Sequence, residues 1–350
     1  MTEAVPLPRL YLDHAATTPV CEGARLAVAE GFQHWANPSS PHADGRAARA
    51  MLEDARARIC RALDWDGAVI FTSGASEAIA LGLGRARAER VVTSPVEHDA
   101  VLRMTADATR LAVDGDGVVR ETVAGALHAI QHVNNETGVI QPVATLAAEI
   151  HGTGGTLFVD CAQSAGKIAL PMDADMIALS AHKFGGPPGV GALLVKDLAV
   201  LSPVGGQERG YRGGTENVPG VLGMAAALEE NRDWMAGVAG LRTLLDSGIR
   251  EAGGIVVADA AERIATIASY RMPGVSARVQ LIRFDMAGVS VSAGAACSSG
   301  TLKTSPVLSA IGWRAEDADE VIRVSFGPQT SAGDIDRFLH LWQSLAGGAA

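Results

Sequence analysis

The chain is poor in cysteine and aromatic residues, and it has no long apolar run. Aromatics make up 4% of its 350 residues, and its four cysteines form no CxxC pair. This spacing supports neither a zinc ribbon nor a disulfide framework. No uninterrupted apolar stretch approaches the ~18 residues of a membrane span. The start of the chain carries Glu3, Arg9 and Asp13 and no apolar signal segment. We therefore expect no membrane partner, no secretory signal and a cytoplasmic location.

Positive charge is also scarce. The chain has 29 Lys and Arg against 39 Asp and Glu, which gives a formal net charge of −10 at pH 7. A nucleic-acid-binding protein needs a basic face, so we expect no nucleic-acid partner. A content of 48% hydrophobic and 19% charged residues is typical of a globular protein. The length allows about two domains.

Short apolar segments alternate with helical patterns in the first two thirds of the chain. Residues 45–63 place apolar side chains at the spacing of an amphipathic helix. The alternation predicts an α/β domain with a mostly parallel sheet over residues 16–235. The predicted strands are 68–73, 91–94, 126–133, 156–160, 176–181 and 191–196.

The pattern changes after residue 235. Residues 241–249 read as a helix, and strand patterns are then mixed with helical ones. We expect a smaller α+β domain formed by residues 1–15 and 236–350. Its predicted strands are 255–259, 264–270, 279–284, 289–294 and 321–326.

Two motifs contain candidate ligand-binding residues, one for a carbonyl cofactor and one for a phosphate group. Lys183, in SAHKFGGPPG, follows a predicted strand. Ligands of open α/β sheets bind beyond the carboxyl ends of strands, where a lysine can form a Schiff base. The alternative is an ordinary exposed lysine. In VIFTSGASEA, a strand, a turn and a helix follow one another, which favours phosphate binding at the helix N-terminus. The alternative is a helix cap formed by Ser73 or Ser76.

Further candidates each have a structural alternative. Asp160 ends a predicted strand and can pair with a pyridinium nitrogen, or it can cap the next helix. His98 can stack on a ring or pack in a loop. Cys297 lies in a run of Ser, Ala and Gly and can be a nucleophile. His128 and His132 lack the Glu of the HExxH motif, so we interpret them as structural and predict no metal site.

Ten motifs follow one another between about residues 10 and 340. They are YLDHAATTPV, NPSSPHADGRAAR, FTSGASEA, PVEHDAVL, HVNNETGVIQPV, FVDCAQSAGK, SAHKFGGPPGVGALLV, GGQERGYRGGTENVPG, SAGAACSSGTLK and VIRVSFG. In this order they resemble the cysteine desulfurases of the nitrogen-fixation and iron–sulfur-cluster branch. These are enzymes of the class V aminotransferase type that depend on pyridoxal 5'-phosphate (PLP). The resemblance implies fold type I of PLP-dependent transferases, with the cysteine loop on the smaller domain.

The resemblance also assigns a role to each candidate. Lys183 would hold PLP and remove the substrate Cα proton, Asp160 would pair with the pyridinium nitrogen, and His98 would stack on the ring. Arg323 would bind the substrate carboxylate with help from Asn37. The ring's phenolic oxygen would lie near Gln163 and Asn135. The phosphate would be held by Ala75, Ser76, Ser180, His182 and, reaching across the interface of a homodimer, Thr215.

The implied reaction takes sulfur from L-cysteine and gives L-alanine and a persulfide on Cys297. The persulfide would pass to a sulfur-acceptor or cluster-scaffold protein, for iron–sulfur cluster assembly or other sulfur transfer. Alternatives are a selenocysteine lyase or another class V aminotransferase or lyase. Cys297 argues against plain transamination, which has no use for a sulfur acceptor. A non-catalytic PLP-binding subunit would not need both Lys183 and Cys297.

The sequence departs from the family in features that bear on partner choice. Only 27 residues follow Arg323, so we expect the C-terminal extension that helps dock the scaffold to be trimmed. Residues 99–120 are shorter than usual. The active loop reads TLKTS where relatives often have an acidic residue and a proline. Cys161, beside Asp160, is interpreted as a packing residue.

Overall fold

The fold was analysed in a computed structural model, in which residues 8–296 and 302–347 are described. The helices are α1 (Glu22–Gln33), α2 (Ala43–Leu63), α3 (Ala75–Arg85), α4 (Asp99–Met104), α5 (Val143–Gly152), α6 (Val218–Glu229), α7 (Trp234–Glu251), α8 (Ala277–Met286), α9 (Pro306–Ala310), α10 (Ala315–Ala318) and α11 (Ala332–Gly347). The strands are β1 (Leu10–Tyr11), β2 (Ala68–Thr72), β3 (Val91–Thr93), β4 (Thr109–Arg110), β5 (Leu127–Gln131), β6 (Thr156–Asp160), β7 (Met176–Ser180), β8 (Gly191–Val195), β9 (Ile255–Val256), β10 (Ile267–Arg271), β11 (Val289–Ser290), β12 (Ala295–Ala296), β13 (Leu302–Lys303) and β14 (Val321–Ser325).

A seven-stranded sheet in the order β2-β8-β7-β6-β5-β3-β4 forms the centre of the molecule. Strands β3 to β7 are parallel, and β8 is antiparallel between β2 and β7. All six strands predicted between residues 68 and 196 belong to this sheet. The prediction of a mostly parallel α/β sheet is therefore confirmed.

Both faces of the central sheet are covered, which explains its continuous apolar strands. In β6, Leu157 and Val159 face the cluster formed with α2, α5 and α6. Phe158 points to the opposite face, into the cluster formed with α3 and α4. Successive side chains of a strand alternate between faces, so one apolar strand supplies two cores.

A second core lies around the antiparallel sheet β14-β10-β9. Helices α7, α8 and α11 pack on it, with Phe284 stacked on Phe338 at a centroid distance of 4.8 Å. The start of the chain joins this core, because Leu10 and Leu12 are buried in it and β1 pairs with β11. The division at residues 15 and 235 stays a prediction.

One predicted strand is wrong: residues 279–284 lie in helix α8. The side chain of Ser276 accepts a hydrogen bond from the backbone N–H of Val279 and caps the helix. Gln280 and Phe284, four residues apart, form its buried face. The six residues were predicted as a strand because the periodicity of so short an apolar run cannot distinguish a strand from a helix.

No helix within residues 8–296 and 302–347 is long and apolar enough to cross a membrane. The same residues contain no cluster of three or more His, Cys, Asp or Glu that could hold a metal ion.

Candidate active site

Four polar residues follow neighbouring strands at one edge of the central sheet. Asp160 ends β6, Lys183 follows β7, Asn135 follows β5 and His98 follows β3. These strands are parallel and adjacent in the order β7-β6-β5-β3. Their carboxyl ends therefore meet at the edge where open α/β sheets bind ligands.

Lys183 ends a turn of 3-10 helix, Ala181–Lys183, and is half-buried. Its Nζ donates hydrogen bonds to the carbonyl oxygens of Ala15 at 2.6 Å and Ala16 at 2.9 Å. Burial, together with the nearby positive charge of Arg323, lowers the pKa of Lys183 to about 8. A lysine with this pKa is partly a free amine near neutral pH, the form that attacks a carbonyl group. The structure does not fit the alternative of an ordinary exposed lysine.

Asp160 is buried, and burial raises its pKa. The backbone N–H of Ala162 opposes this rise in pKa, and His98 and Lys183, which lie near Asp160, oppose it as well. Its Oδ1 accepts a hydrogen bond from the backbone N–H of Ala162 at 2.9 Å, so it also stabilises the turn after β6. No salt bridge to Asp160 is present within the described residues. A buried carboxylate of this kind can pair with a cationic ring nitrogen.

His98 caps helix α4. Its Nδ1 accepts a hydrogen bond from the backbone N–H of Ala100 at 3.1 Å, and the residue is exposed. The accepting Nδ1 carries no proton, so the neutral ring holds its proton on Nε2. The cap fixes the ring, and Nε2 has no hydrogen-bond partner in the part of the chain that the structure describes.

The turn between β2 and α3 lies against the end of β7. Gly74, with φ 152°, is the N-cap of α3, and a Cβ on Gly191 would lie 2.7 Å from the Cα of Gly74. Both positions therefore require glycine. A Cβ on Gly74 would lie 3.6 Å from Oγ of Ser180. Exposed Ser76 and buried Ala75 form the first turn of α3. The alternative of a serine cap is wrong, because no side chain caps this helix.

His182 and Gln163 join the same cluster through the start of the chain. His182 Nδ1 lies 3.2 Å from Oγ1 of Thr17, and burial together with Lys183 lowers the pKa of His182 to about 4. His182 is therefore neutral at pH 7. Gln163 donates from Nε2 to the carbonyl oxygen of Ala15 at 2.9 Å, the same oxygen that accepts from Lys183.

Arg323, on β14, reaches this cluster from the second core. Its Nη2 donates to Oδ1 of Asp13 at 2.8 Å and its Nη1 donates to the carbonyl oxygen of Asn135 at 3.0 Å. The residue is 6% exposed, and its Nε has no hydrogen-bond partner among the described residues. A buried guanidinium with a free N–H suits a carboxylate ligand.

The class-V aminotransferase family matches residues 10–338. A cysteine desulfurase of Cereibacter sphaeroides is 35% identical, over 96% of this chain and 95% of the relative. An IscS-like cysteine desulfurase of Mycobacterium tuberculosis is 36% identical, over 95% of this chain and 94% of the relative.

The chain belongs to the class-V aminotransferase family. Within that family its relatives are cysteine desulfurases, as the motifs indicate. The solved structure of a NifS-like protein is similar, with a TM-score of 0.89 and 29% identity, over 97% of this chain and all of that one. A structure described as SspA in complex with cysteine gives a TM-score of 0.78 and 27% identity, over 92% of this chain and all of that one. Fold type I is confirmed.

The match with the Cereibacter sphaeroides desulfurase extends over 368 aligned positions, more than the 350 residues of this chain. This chain therefore has internal gaps relative to that family member. The shortening of residues 99–120 stays a prediction.

Two predicted site residues lie apart from Lys183. Asn37 and Thr215 are exposed and line a surface depression of about 290 Å³. Lys183 lines a different cavity, of about 560 Å³, and the two share no residue. Within one chain, Asn37 and Thr215 thus line a different surface depression from Lys183. Cys297 lies outside the described residues.

The interpretation of His128, His132 and Cys161 as structural residues agrees with their surroundings. His128 is buried, and its Nε2 accepts from the backbone N–H of Val123 at 3.0 Å. Burial lowers the pKa of His132 to about 4. Cys161 is also buried, and burial raises the pKa of its thiol.

Several charged or titratable groups near the site were not predicted. Asp13 pairs with Arg323 across more than 300 residues of sequence. Lys167 is 7% exposed, and burial lowers its pKa to about 7. Glu97 is 3% exposed, and burial raises its pKa to about 8. All lie inside quoted motifs, but only the fold shows that their charges face the site.

Proposed function

We propose that the chain is an L-cysteine desulfurase that uses PLP and leaves the sulfur of its substrate on Cys297. The observation that carries this proposal is the meeting of an amine, a carboxylate and a guanidinium at one sheet edge. These groups belong to Lys183, Asp160 and Arg323; the last two are buried and Lys183 is half-buried. Full-length similarity to cysteine desulfurases supports the same reading.

The residues present fit PLP. The Nζ of Lys183 is partly a free amine, which suits the cofactor's aldehyde. Asp160 is a buried carboxylate without a salt bridge in the described part of the chain, which suits a protonated pyridine. Gly74 and Gly191 let two backbone segments approach closely at the N-terminus of α3, and a phosphate would be stabilised at such a helix end. We assign the phosphate contacts to this turn, with Ser76, Ser180 and His182.

PLP, when bound, draws electrons from the substrate Cα and makes its proton acidic. Arg323 would orient the substrate through its carboxylate, using the free Nε–H together with the N–H groups that now face Asp13. Lys183 would take the Cα proton on Nζ, and its lowered pKa suits a base near neutral pH. His98 would hold the ring by stacking and keep a proton on Nε2.

The sulfur step is assigned to Cys297. Its thiolate attacks the substrate sulfur, an S–S bond forms, and the bond between Cβ and sulfur breaks. The electron pair of that bond stays on Cβ, which takes up a proton to give alanine. The balance is L-cysteine and a thiol on one side, and L-alanine and a persulfide on the other. No external oxidant or reductant is needed.

The homodimer is part of the proposal, and it gives a role to Thr215, which lines the same depression as Asn37. Beside them, Phe32 and Trp35 are 71% and 82% exposed. Large exposed aromatic side chains around one depression indicate a protein contact. A partner subunit on this face would bring Thr215 to the partner's phosphate site. We expect Trp35→Glu to shift the protein to monomers in sedimentation and to weaken PLP retention; a PLP-saturated monomer contradicts the assignment.

We also propose that the persulfide passes to a sulfur acceptor such as a cluster-scaffold protein. Relatives named IscS belong to this group of enzymes. The reaction leaves the sulfur bound to the protein, so a second protein or a thiol must remove it before the next turnover. A cytoplasmic location stays a prediction.

The test compares Cys297→Ala with Cys60→Ala, a half-buried cysteine on α2. Each protein is purified with PLP, its visible absorption is recorded, and alanine is measured after addition of L-cysteine. We expect both variants to keep the absorption, and only Cys297→Ala to lose alanine formation. Alanine at the wild-type rate from Cys297→Ala would refute the mechanism. Alanine from selenocysteine alone would favour the lyase alternative.

A further inference from the structure

We call residues 293–304 the Cys297 segment. The residue before this segment, Ser292, lies directly beside Arg323. Ser292 and Arg323 exchange two backbone hydrogen bonds, from Ser292 N–H at 3.1 Å and from Arg323 N–H at 2.7 Å. The strand that leads into the segment is therefore attached to the residue assigned to the substrate carboxylate.

The chain leaves the segment at Ser305, which is 3% exposed. Its Oγ accepts from the backbone N–H of Leu308 at 3.0 Å and so caps α9. The same hydroxyl donates a hydrogen bond of 2.6 Å to Oε2 of Glu136, which is 5% exposed. A short hydrogen bond from a hydroxyl to a buried carboxylate is among the stronger hydrogen bonds in proteins.

Glu136 stands in a turn that also contacts Arg323. The carbonyl oxygen of the preceding residue, Asn135, accepts a hydrogen bond from Arg323. The backbone of Glu136 is itself fixed, because its N–H donates to Oδ1 of Asn134 at 2.9 Å and its carbonyl oxygen accepts from Ser269 at 2.8 Å. One short turn thus holds the arginine and the exit of the segment.

The entry of the segment also touches this carboxylate. A Cβ added to Gly294 would lie 3.0 Å from Cβ of Ser305 and 3.5 Å from Oε2 of Glu136. The two ends are therefore close to one another and to Glu136. A side chain at residue 294 would crowd Ser305, so glycine allows this approach.

Stability of the fold alone does not account for Glu136. Burying a carboxylate costs desolvation free energy that an apolar residue would not. Ser305 is the one side chain within the described residues that donates a hydrogen bond to it. Arg323 is close enough to oppose the rise in its pKa that burial causes.

We propose that Glu136 is a positioning residue that fixes the ends of the Cys297 segment to the turn holding Arg323. The contact would hold Cys297 at a fixed position relative to Arg323, the residue assigned to the substrate carboxylate. This inference rests on the proposed function, because it assumes that Cys297 must approach a substrate held by Arg323. It adds a role for Glu136 and Ser305 that the chemistry of the site does not supply.

The test uses Ser305→Ala, with Ser276→Ala as the matched control. Ser276 caps α8 as Ser305 caps α9, but it has no contact with Glu136. Both variants lose a helix cap, and only Ser305→Ala loses the bond to the carboxylate. A misplacement of about 1 Å costs on the order of a hundredfold in rate. We expect alanine formation in a single turnover to fall roughly ten- to a hundredfold in Ser305→Ala only.

The spectral change on adding cysteine should give an unchanged dissociation constant in Ser305→Ala, which separates positioning from a loss of binding. Glu136→Gln should show the same pattern, and the double variant should be no slower than the slower single variant. Equal rates in Ser305→Ala and Ser276→Ala would overturn the proposal. The proposal would also be overturned if the rate losses of the two single variants multiplied in the double variant. The same holds if weaker binding of PLP or cysteine explained the rate losses.

A second measurement needs no turnover. The alkylation rate of Cys297 by iodoacetamide, followed by mass spectrometry of its peptide, should change several-fold in Ser305→Ala and stay at the wild-type value in Ser276→Ala. Unchanged alkylation in both overturns the positioning role. If the alkylation rate of Cys297 changes in Ser305→Ala but the wild-type protein makes no alanine, the proposed reaction is wrong. The positioning of the Cys297 segment by Ser305 and Glu136 is then still supported.

Discussion

Two arginines on helix α2 offer a matched comparison of a buried and an exposed ion pair. Arg56 donates to Glu208 through two hydrogen bonds of 2.9 Å each. Two residues further on, Arg58 donates to Glu229 at 2.9 and 2.6 Å. The geometry is bidentate in both pairs, but the side chains of the first are 7% and 1% exposed and those of the second 24% and 42%. The pairs differ chiefly in burial.

We expect Glu208→Ala to destabilise the protein by about 3–5 kcal/mol, because it leaves a buried guanidinium without its main counter-ion. The same change removes the acceptor of the Phe71 backbone N–H, which lies 2.8 Å from Glu208. Glu229→Ala should cost about 0–1 kcal/mol, since solvent screens the exposed pair and can replace the lost contact.

The assay is urea denaturation followed by far-ultraviolet circular dichroism, at one protein concentration for all variants. The difference in unfolding free energy between the two variants is the informative quantity, because both arginines lie on α2 and both partners are glutamates. Equal losses of unfolding free energy, or a loss below about 1 kcal/mol for Glu208→Ala, would refute the reasoning from burial.

Further predictions concern titratable groups of the site. Uptake of PLP by cofactor-free protein, followed by visible absorption, should quicken as pH rises, with a midpoint at about 8 for Lys183; a flat profile contradicts this. Arg323→Gln should move that midpoint to higher pH, because Arg323 lowers the pKa of Lys183. His132 has a folded pKa of about 4 against 6.5 in the unfolded chain, so the unfolded chain binds more protons between these values and stability falls as pH falls. His132→Asn should therefore reduce the fall in the urea midpoint between pH 7.5 and pH 5. The fall should not vanish, because burial lowers the pKa of His14 in the same way. An unchanged fall would contradict this role of His132.

Sequence patterns predicted the central sheet well because its strands are short, apolar and bounded by turn residues. The ends of β6 at Thr156–Asp160 agree with the prediction to the residue. Helix α8 was missed because its buried face has few apolar residues: Gln280 lies on it, while Val279 and Ile282 are exposed. Tertiary packing, which a local pattern does not contain, decided the structure there.

The sequence predicted which residues follow the strands, but not how their charges are balanced. Lys183, Asp160 and His98 could be found because each directly follows an apolar strand. The pairing of Arg323 with Asp13, and of Ser305 with Glu136, joins segments that are far apart in the chain. No spacing rule reports such contacts, since they depend on how the second core sits against the first.

The segment from residue 10 to residue 18 explains how the two cores share one site. Its first residues pair with β11 of the second core, and Asp13 holds Arg323 there. A few residues later, the carbonyl oxygens of Ala15 and Ala16 accept from Lys183 of the central sheet. The predicted division after residue 15 thus falls between the two carbonyl groups that accept from Lys183. A change of position in this segment would move the lysine and the arginine relative to one another, so its buried polar contacts matter to the reaction as much as to folding.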